Sequence, residues 1–441
     1  MFSRDHFVAL THRNFRLLWL GLLFSLTGSM MQNAALLWHV SLLVSPERKA
    51  LALGSVGLVR VVPVVVFSMI SGVVADVWNR RRLMLLTQTG AAVISLGLAV
   101  LAFRGLSVVW PLYVLTAIGA SISTFDLPAR QALVPTLLPR EHLPNAISMN
   151  AIMFQTASVV GPSLGGIVIA FAGVGWVYLV NTLSFGCVIA ALVMMRGVSG
   201  KPVREAHDPE HEVSWRAAME GLWFVFGSPL IRSTMLLDFF ATFFSSATAL
   251  LPIFAQDILS VGARGYGWLY AAPAVGAVAM SIVMIPLTSR IRRRGQVLLW
   301  AIAGYGLATV VFGVSRSFWL TFFCLAMTGA MDTISMIIRN IVRQLETPDR
   351  LRGRMIGVNM VFFQGGPQLG ELEAGFVANW LGPVFSVVSG GVGCLIATGW
   401  VSATTPALRH YYADEGAAAT ASARIRSKSP DPVRSSRQVC C

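Results

Sequence analysis

From His142 to Met195 the chain runs for 54 residues without an Asp, Glu, Lys or Arg. A soluble domain carries a charge about every fourth residue, so this stretch belongs in a medium without water. A helix crosses the hydrocarbon core in about 20 apolar residues, and an all-α or closed-barrel chain alone can span it, because no water pairs exposed backbone groups there. Gly173, Gly175 and Trp176 near the middle break the run into two crossings joined by a tight turn. The same rhythm fills the rest of the 441 residues, of which 55% are hydrophobic and 12% charged. Residues 17–46, 51–74, 83–103 and 105–125 give four earlier spans. Runs near 233–256, 265–289, 295–315, 317–338, 355–380 and 383–404 give six later ones. The expectation is an all-α membrane protein with twelve transmembrane helices. Arg13 and Arg16 lead into a full-length span with no short apolar core and cleavage site, so the first helix is expected to stay.

The formal charge of +14 would suggest nucleic acid in a soluble protein. Its placement excludes that reading. With both termini on one side, 28 of the 34 Lys and Arg fall in loops and tails of that side, five on the other, and Arg60 alone inside a span. Positive loops stay in the cytoplasm, so the expected protein is multi-pass, in a bacterial inner membrane, with cytoplasmic termini. Three of the five cysteines lie in apolar runs and two end the chain, which makes neither a disulfide framework nor a metal site. No phosphate-binding loop, zinc motif or Ser/His/Asp arrangement stands out, so neither an enzyme nor a cofactor or metal is expected.

Shifted by 209 residues, the chain matches itself without a gap: Arg130 meets Arg339, Pro139 meets Pro348, Asn150 meets Asn359, Phe154 and Gln155 meet Phe363 and Gln364, and Gly161 and Gly166 meet Gly370 and Gly375. The spans therefore form two parallel-repeat halves of six, expected at 1–195 and 233–405. A cytoplasmic linker at 196–232 joins them, and a disordered cytoplasmic tail follows at 406–441.

Two phrases stand out against this background. Between the second and third spans lie Gly72, Asp76 and the run Arg80, Arg81, Arg82; in the fifth span lie Gly161, Pro162, Gly165 and Gly166. Glycine lets helices approach closely, and proline in mid-helix permits a bend. The first phrase resembles the Gly-x-x-x-Asp-x-x-x-Arg-Arg/Lys-Arg/Lys loop of the major facilitator superfamily, and the second is similar to the antiporter signature of its exporters. With 128–135, 269–276 and 347–354, they look like the bacterial efflux branch that contains the enterobactin exporter. The resemblance implies the fold of that superfamily. It implies that Asp76 with Arg80 and Arg81 forms a latch remade as the halves rock, and that helices one, four, seven and ten border the path. The matching loop of the second half, Arg290 to Arg294, lacks the acidic residue.

Ionisable groups inside lipid cost about 2.5 to 3.5 kcal/mol each on insertion scales and mark functional positions by default. Asp126, Asp238 and Asp332 fall on helices that the resemblance sets along the path, as do Gln32 and Asn33; the three carboxyls are the proton-coupling candidates. Arg60 stays charged and can hold an anionic substrate or a carboxylate partner. Glu371 and Glu373 lie far along the eleventh span. The expected function is export of a small amphiphilic compound, a siderophore-like metabolite or a drug, by alternating access and proton-coupled antiport. The expected partners are that substrate, protons and the lipid bilayer, with the chain a monomer. Uptake, and a non-transporting scaffold or sensor, are the competing readings.

Overall fold

The structure is a computed structural model, and it describes residues 4–197, 215–244, 247–288, 290–348 and 351–412; the Asp76 side chain and the surroundings of Gly72 lie outside the described residues. The first half is α1 (Arg13–Leu43), α2 (Pro46–Val77), α3 (Arg80–Phe103), α4 (Trp110–Leu133), α5 (Leu143–Ala172) and α6 (Val174–Met194). After the interhalf segment come α7 (Trp215–Gly227) and α8 (Pro229–Phe244), and from Ala247 to Ile258 follow irregular helical turns that include the single turn α9 (Leu251–Ile253). The second half continues with α10 (Gly262–Leu287), α11 (Arg294–Val314), α12 (Phe318–Glu346), α13 (Arg352–Leu381), α14 (Pro383–Thr404) and the short α15 (Pro406–Arg409). No strand occurs among the described residues.

Local chemistry sets the helix boundaries. Proline stands in the first turn of α2, α4, α5 and α14, where its missing N–H costs nothing. Asn79 caps α3 by accepting the Arg82 N–H at 3.1 Å. Gly173 turns α5 into α6 with φ +90°, and Gly382 turns α13 into α14 with φ +89°. These two residues are 209 apart, so the offset read in the sequence returns as the same left-handed turn, which a residue with a Cβ adopts only under strain.

Eleven described helical segments are long and apolar enough to cross a membrane. The remaining long helix, α13, has the length, about 45 Å at 1.5 Å per residue, but carries Glu371 and Glu373. Twelve spans thus describe the fold, with α13 the polar one. Helix begins at Trp215, within the stretch read as linker, while 198–214 lie outside the described residues. The stretch read as tail also begins in order: Tyr411 accepts the Gly295 N–H at 3.3 Å, and its hydroxyl donates to Glu346 Oε1 at 3.0 Å. Residues 413–441 lie outside the described residues.

The halves meet along two helix pairs, α2 with α13 and α5 with α10. A Cβ built on Gly54 would fall 2.7 Å from the Gly375 Cα, and one on Gly166 would fall 2.7 Å from the Gly267 Cα. Gly166 and Gly375 are the partners matched in the sequence repeat. The repeated glycines are therefore the points where each half touches the other, backbone to backbone.

Candidate functional site

The seam between the halves is stitched at the end opposite Arg80–Arg82. There Lys49 Nζ pairs with Asp257 Oδ2 at 3.1 Å and donates to Gln256 Oε1 at 3.2 Å. Gln256 Nε2 in turn donates to Ser41 Oγ at 2.8 Å, and the buried Tyr266 hydroxyl donates to the Ala34 carbonyl at 2.8 Å. All four bonds cross from one half to the other, and both glycine crossings lie within about 12 Å of this end at 1.5 Å per residue. Asp257 is 51% exposed, so the ion pair contributes about 0.2 to 1 kcal/mol. Lys49→Met is accordingly expected to raise the population open at this end no more than about fivefold, read by spin-label distances across it.

At the arginine-rich end, Arg80 Nη1 donates to the Ala132 carbonyl at 3.0 Å, and Arg81 donates from Nε to Leu192 O at 2.8 Å and from Nη2 to Val193 O at 3.2 Å. Both cations thus cap the final carbonyls of α4 and α6, where the helix dipole is negative. The pairing with Asp76 implied by the resemblance falls on a side chain outside the described residues.

In α5 the small residues make room on two sides. A Cβ on Gly161 would lie 2.8 Å from the Thr27 carbonyl of α1, Gly165 faces Met31, and the Pro162 carbonyl meets Gly267 of the opposite half. One turn of α5 therefore packs against its own bundle and across the seam together.

The intramembrane polar residues sort into three groups. Asp126 lies about seven residues, roughly 10 Å, from the end of α4; its Oδ1 accepts from Thr87 Oγ1 and from Gln88 Nε2, each at 2.9 Å. That ties α4 to α3. Gln32 Oε1 accepts from Ser95 Oγ at 2.7 Å and Asn181 Nδ2 at 2.9 Å, joining α1 to α3 and α6. Asn33, its neighbour, accepts from Arg60 Nη2 at 3.3 Å. The Arg60 hydrogen bond is thus to a neutral amide in its own half.

The second half holds the densest charge. Asp238 on α8 is buried between two arginines of α12: Arg339 Nη2 lies 2.9 Å from Oδ1 and Arg343 Nη2 lies 3.2 Å from Oδ2. Arg339 Nη2 also reaches Asp332 Oδ1 at 3.4 Å. Asp332 stands at the centre of α12, about 21 Å from either end, yet its side chain is 43% exposed. Two helical turns separate it from Arg339, so both project toward α8 and the interior of the bundle. The carboxylate is therefore partly exposed beside a buried guanidinium, the one member of this cluster within reach of solvent. Sequence reading placed Arg339 and Arg343 among loop charges, because the apolar run stops at 338. The helix in fact continues to Glu346, carried by an Asp 101 residues upstream of Arg339. The repeat, which matched Arg339 with Arg130 at a helix end, was the one signal that could have raised it.

Removing one partner from a buried ion pair strands the other charge. Arg343→Met leaves Asp238 with a single cation and is expected to destabilise the second half by about 3 kcal/mol, read as a lower thermal midpoint of the purified protein in detergent.

A run of phenylalanines follows Asp238 along α8. Phe239 stacks on Phe243 with centroids 5.5 Å apart and meets Phe362 of α13 edge-on at 6.0 Å. No group of three or more His, Cys, Asp or Glu with metal-holding geometry occurs among the described residues.

Comparison with known proteins agrees with this architecture. The chain is 26% identical to the enterobactin exporter EntS of Escherichia coli (strain K12) over 343 residues, covering 78% of this chain and 80% of that one. In fold it resembles a bacterial homolog of the human lysosomal transporter Spinster, crystallised inward-facing and unoccupied, with TM-score 0.71 at 14% identity over 93% of this chain and 99% of that one. It also resembles a bacterial homologue of the iron transporter ferroportin in the inward-facing state, with TM-score 0.63 at 17% identity over 88% and 98% of the two chains. These relatives are membrane transporters, and a family model described as transmembrane secretion effector matches residues 5–424. Twelve spans in two repeated halves, crossing on paired glycines, are thus those of a multi-pass transporter, and the chain belongs to the transmembrane secretion effector family of the major facilitator superfamily.

Proposed function

We propose that this transporter exports a small amphiphilic compound from the cytoplasm across a bacterial inner membrane, by alternating access and in exchange for protons. The observation that carries the reading is the asymmetry of the seam among the described residues: helix crossings, hydrogen bonds and an ion pair join the halves at the end opposite the arginine-rich loops. Positive loops belong to the cytoplasm, so the closed end faces outward and substrate enters from inside. Both termini are then cytoplasmic, and a monomer suffices because its two halves enclose the path.

Asp332 is the proposed coupling carboxylate, because it is accessible and shares Arg339 with the buried Asp238. A proton on Asp332 releases Arg339 to Asp238 alone; loss of that proton draws the guanidinium back. Asp238, held by two cations, anchors the pair, and Asp126 ties two helices of one bundle. Arg60 with Asn33 offers a positive, hydrogen-bonding position in the opposite half, and the phenylalanines of α8 and α13 offer an apolar one. A cation on one side and aromatic rings on the other suit a compound with both acidic and aromatic parts. Kinship with an enterobactin exporter favours a siderophore-like metabolite, with hydrophobic drugs as the broader class.

Inverted membrane vesicles are expected to accumulate a catecholate siderophore or a hydrophobic dye when acidified inside, and to lose that uptake when the proton gradient is collapsed. Accumulation that ignores the gradient would remove proton coupling; accumulation only in right-side-out vesicles would reverse the direction.

A further inference from the structure

Glu371 has a place in this seam that the export reading does not use. It stands on α13 ten residues before Leu381, about 15 Å inside the helix end at 1.5 Å per residue, and it faces α2 of the opposite half. A Cβ built on Gly57 would lie 2.9 Å from Glu371 Cβ and 3.2 Å from Glu371 Oε2, and one on Gly54 would lie 2.8 Å from the Glu371 carbonyl. One oxygen of the carboxyl group, Oε2, therefore lies against α2 where the halves meet.

Its hydrogen bonding is incomplete in a telling way. Glu371 Oε2 is buried with no hydrogen-bond partner, and so is Gln368 Oε1 one turn earlier on the same helix. Residues three apart lie on one helix face. An ionised carboxylate can only accept, whereas a protonated one has an O–H to give; on this face of α13 two buried acceptors are without a donor. The cation whose field reaches Glu371 is Arg60, three residues beyond Gly57 on α2, but its guanidinium is hydrogen-bonded to Asn33 and is not within 4 Å ion-pair distance of Glu371. Two tyrosine hydroxyls of α10 complete the ionisable surroundings: that of Tyr266 is committed to the Ala34 carbonyl, and that of Tyr270 lies within electrostatic reach of both Glu371 and Arg60. Glu373 is on the same helix, two residues on, and so projects to a different face.

We propose that Glu371 is a proton-operated lock of the seam. With its proton on, the neutral carboxyl supplies the missing donor and lets α2 and α13 close on their glycines. When it loses the proton to water entering the parted seam, an ionised carboxylate cannot be buried there without a partner, and the open arrangement is retained. The inference deepens the alternating-access reading and rests on it, but on neither the substrate nor Asp332. The sign follows: a proton held only by the closed form favours closure at low pH, and the preference fades as pH rises.

The test is a distance between spin labels on Arg48→Cys and Arg316→Cys, exposed positions in the two halves at the closed end, in a background without the native cysteines and in lipid nanodiscs. The wild-type sequence is expected to gain a longer-distance population as pH is raised from about 6 to about 9, up to tenfold per pH unit for one proton. Glu371→Gln, which keeps a donor at every pH, is expected to hold the short distance throughout, and Glu371→Asp to restore a pH response. Asp332→Asn is expected to lose proton-driven export while keeping the pH-dependent distance, which separates this lock from the coupling reading. A Glu371→Gln protein that opens with pH as the wild type does, or a wild type indifferent to pH, overturns the proposal.

Discussion

Asp332→Asn is expected to abolish proton-driven efflux while the protein still inserts and folds. The substitution keeps size and hydrogen bonding and removes only the charge that competes for Arg339. Asp238 then holds both arginines, with no accessible group left to take up or release a proton on that cluster. Efflux in inverted vesicles should fall at least about a hundredfold, which corresponds to roughly 2.7 kcal/mol of lost coupling. Substrate exchange without a gradient should persist, since it needs alternation but no proton. Equal loss of exchange and driven efflux would make Asp332 a structural residue; unchanged efflux would remove it from the mechanism. Asp238→Asn provides the contrast. It leaves the buried Arg343 without a carboxylate and Arg339 with Asp332 alone, so it is expected to lower the amount of folded protein in the membrane rather than to uncouple it.

Gly166→Leu should stop transport by a different route. The Gly166 position faces the Ala263 carbonyl and the Gly267 Cα of the opposite half at 2.6 and 2.7 Å from a built Cβ. Nothing flexible is there to move aside, only backbone. Overpacking a tight contact costs about 1 to 3 kcal/mol, enough to shift a two-state equilibrium by roughly 5-fold to 150-fold toward the arrangement in which the seam is open. The expected result is a protein of near-normal abundance with the longer distance across the Arg48 and Arg316 ends at every pH, and negligible turnover. Gly186→Leu is the control, since a Cβ at Gly186 meets nothing within 4 Å. Should Gly166→Leu transport normally, the α5 and α10 crossing is not part of the moving seam.

The two effects differ in how far the sequence announced them. Gly166 was legible twice, in the exporter-like phrase of the fifth span and in its match to Gly375 across the repeat. Close helix packing needs a residue without a side chain, and that demand is written at a single position. The charge cluster was half legible. Asp332 and Asp238 stood out because an acid in an apolar run is costly, but Arg339 and Arg343 sat past the edge of their run and read as loop residues. Their burial depends on a carboxylate about a hundred residues away, and no local pattern carries such information. Arg60 showed the opposite case. Its cost in lipid was evident, yet its hydrogen-bond partner is the amide of Asn33, with the acid Glu371 reaching it only through space across the seam.

By itself the sequence determined the solvent, the number of crossings, their grouping into two like halves and the turn glycines that end repeated helices. Each of those follows from a local requirement: a charge or an unpaired backbone group is expensive in hydrocarbon, and a left-handed turn admits glycine most cheaply. Only the tertiary structure decided which end of the seam is closed, which arginine neutralises which acid, and that Glu371 Oε2 lies against α2. Those are relations between groups far apart in the chain, where burial and distance rather than residue type fix the energy of a charge.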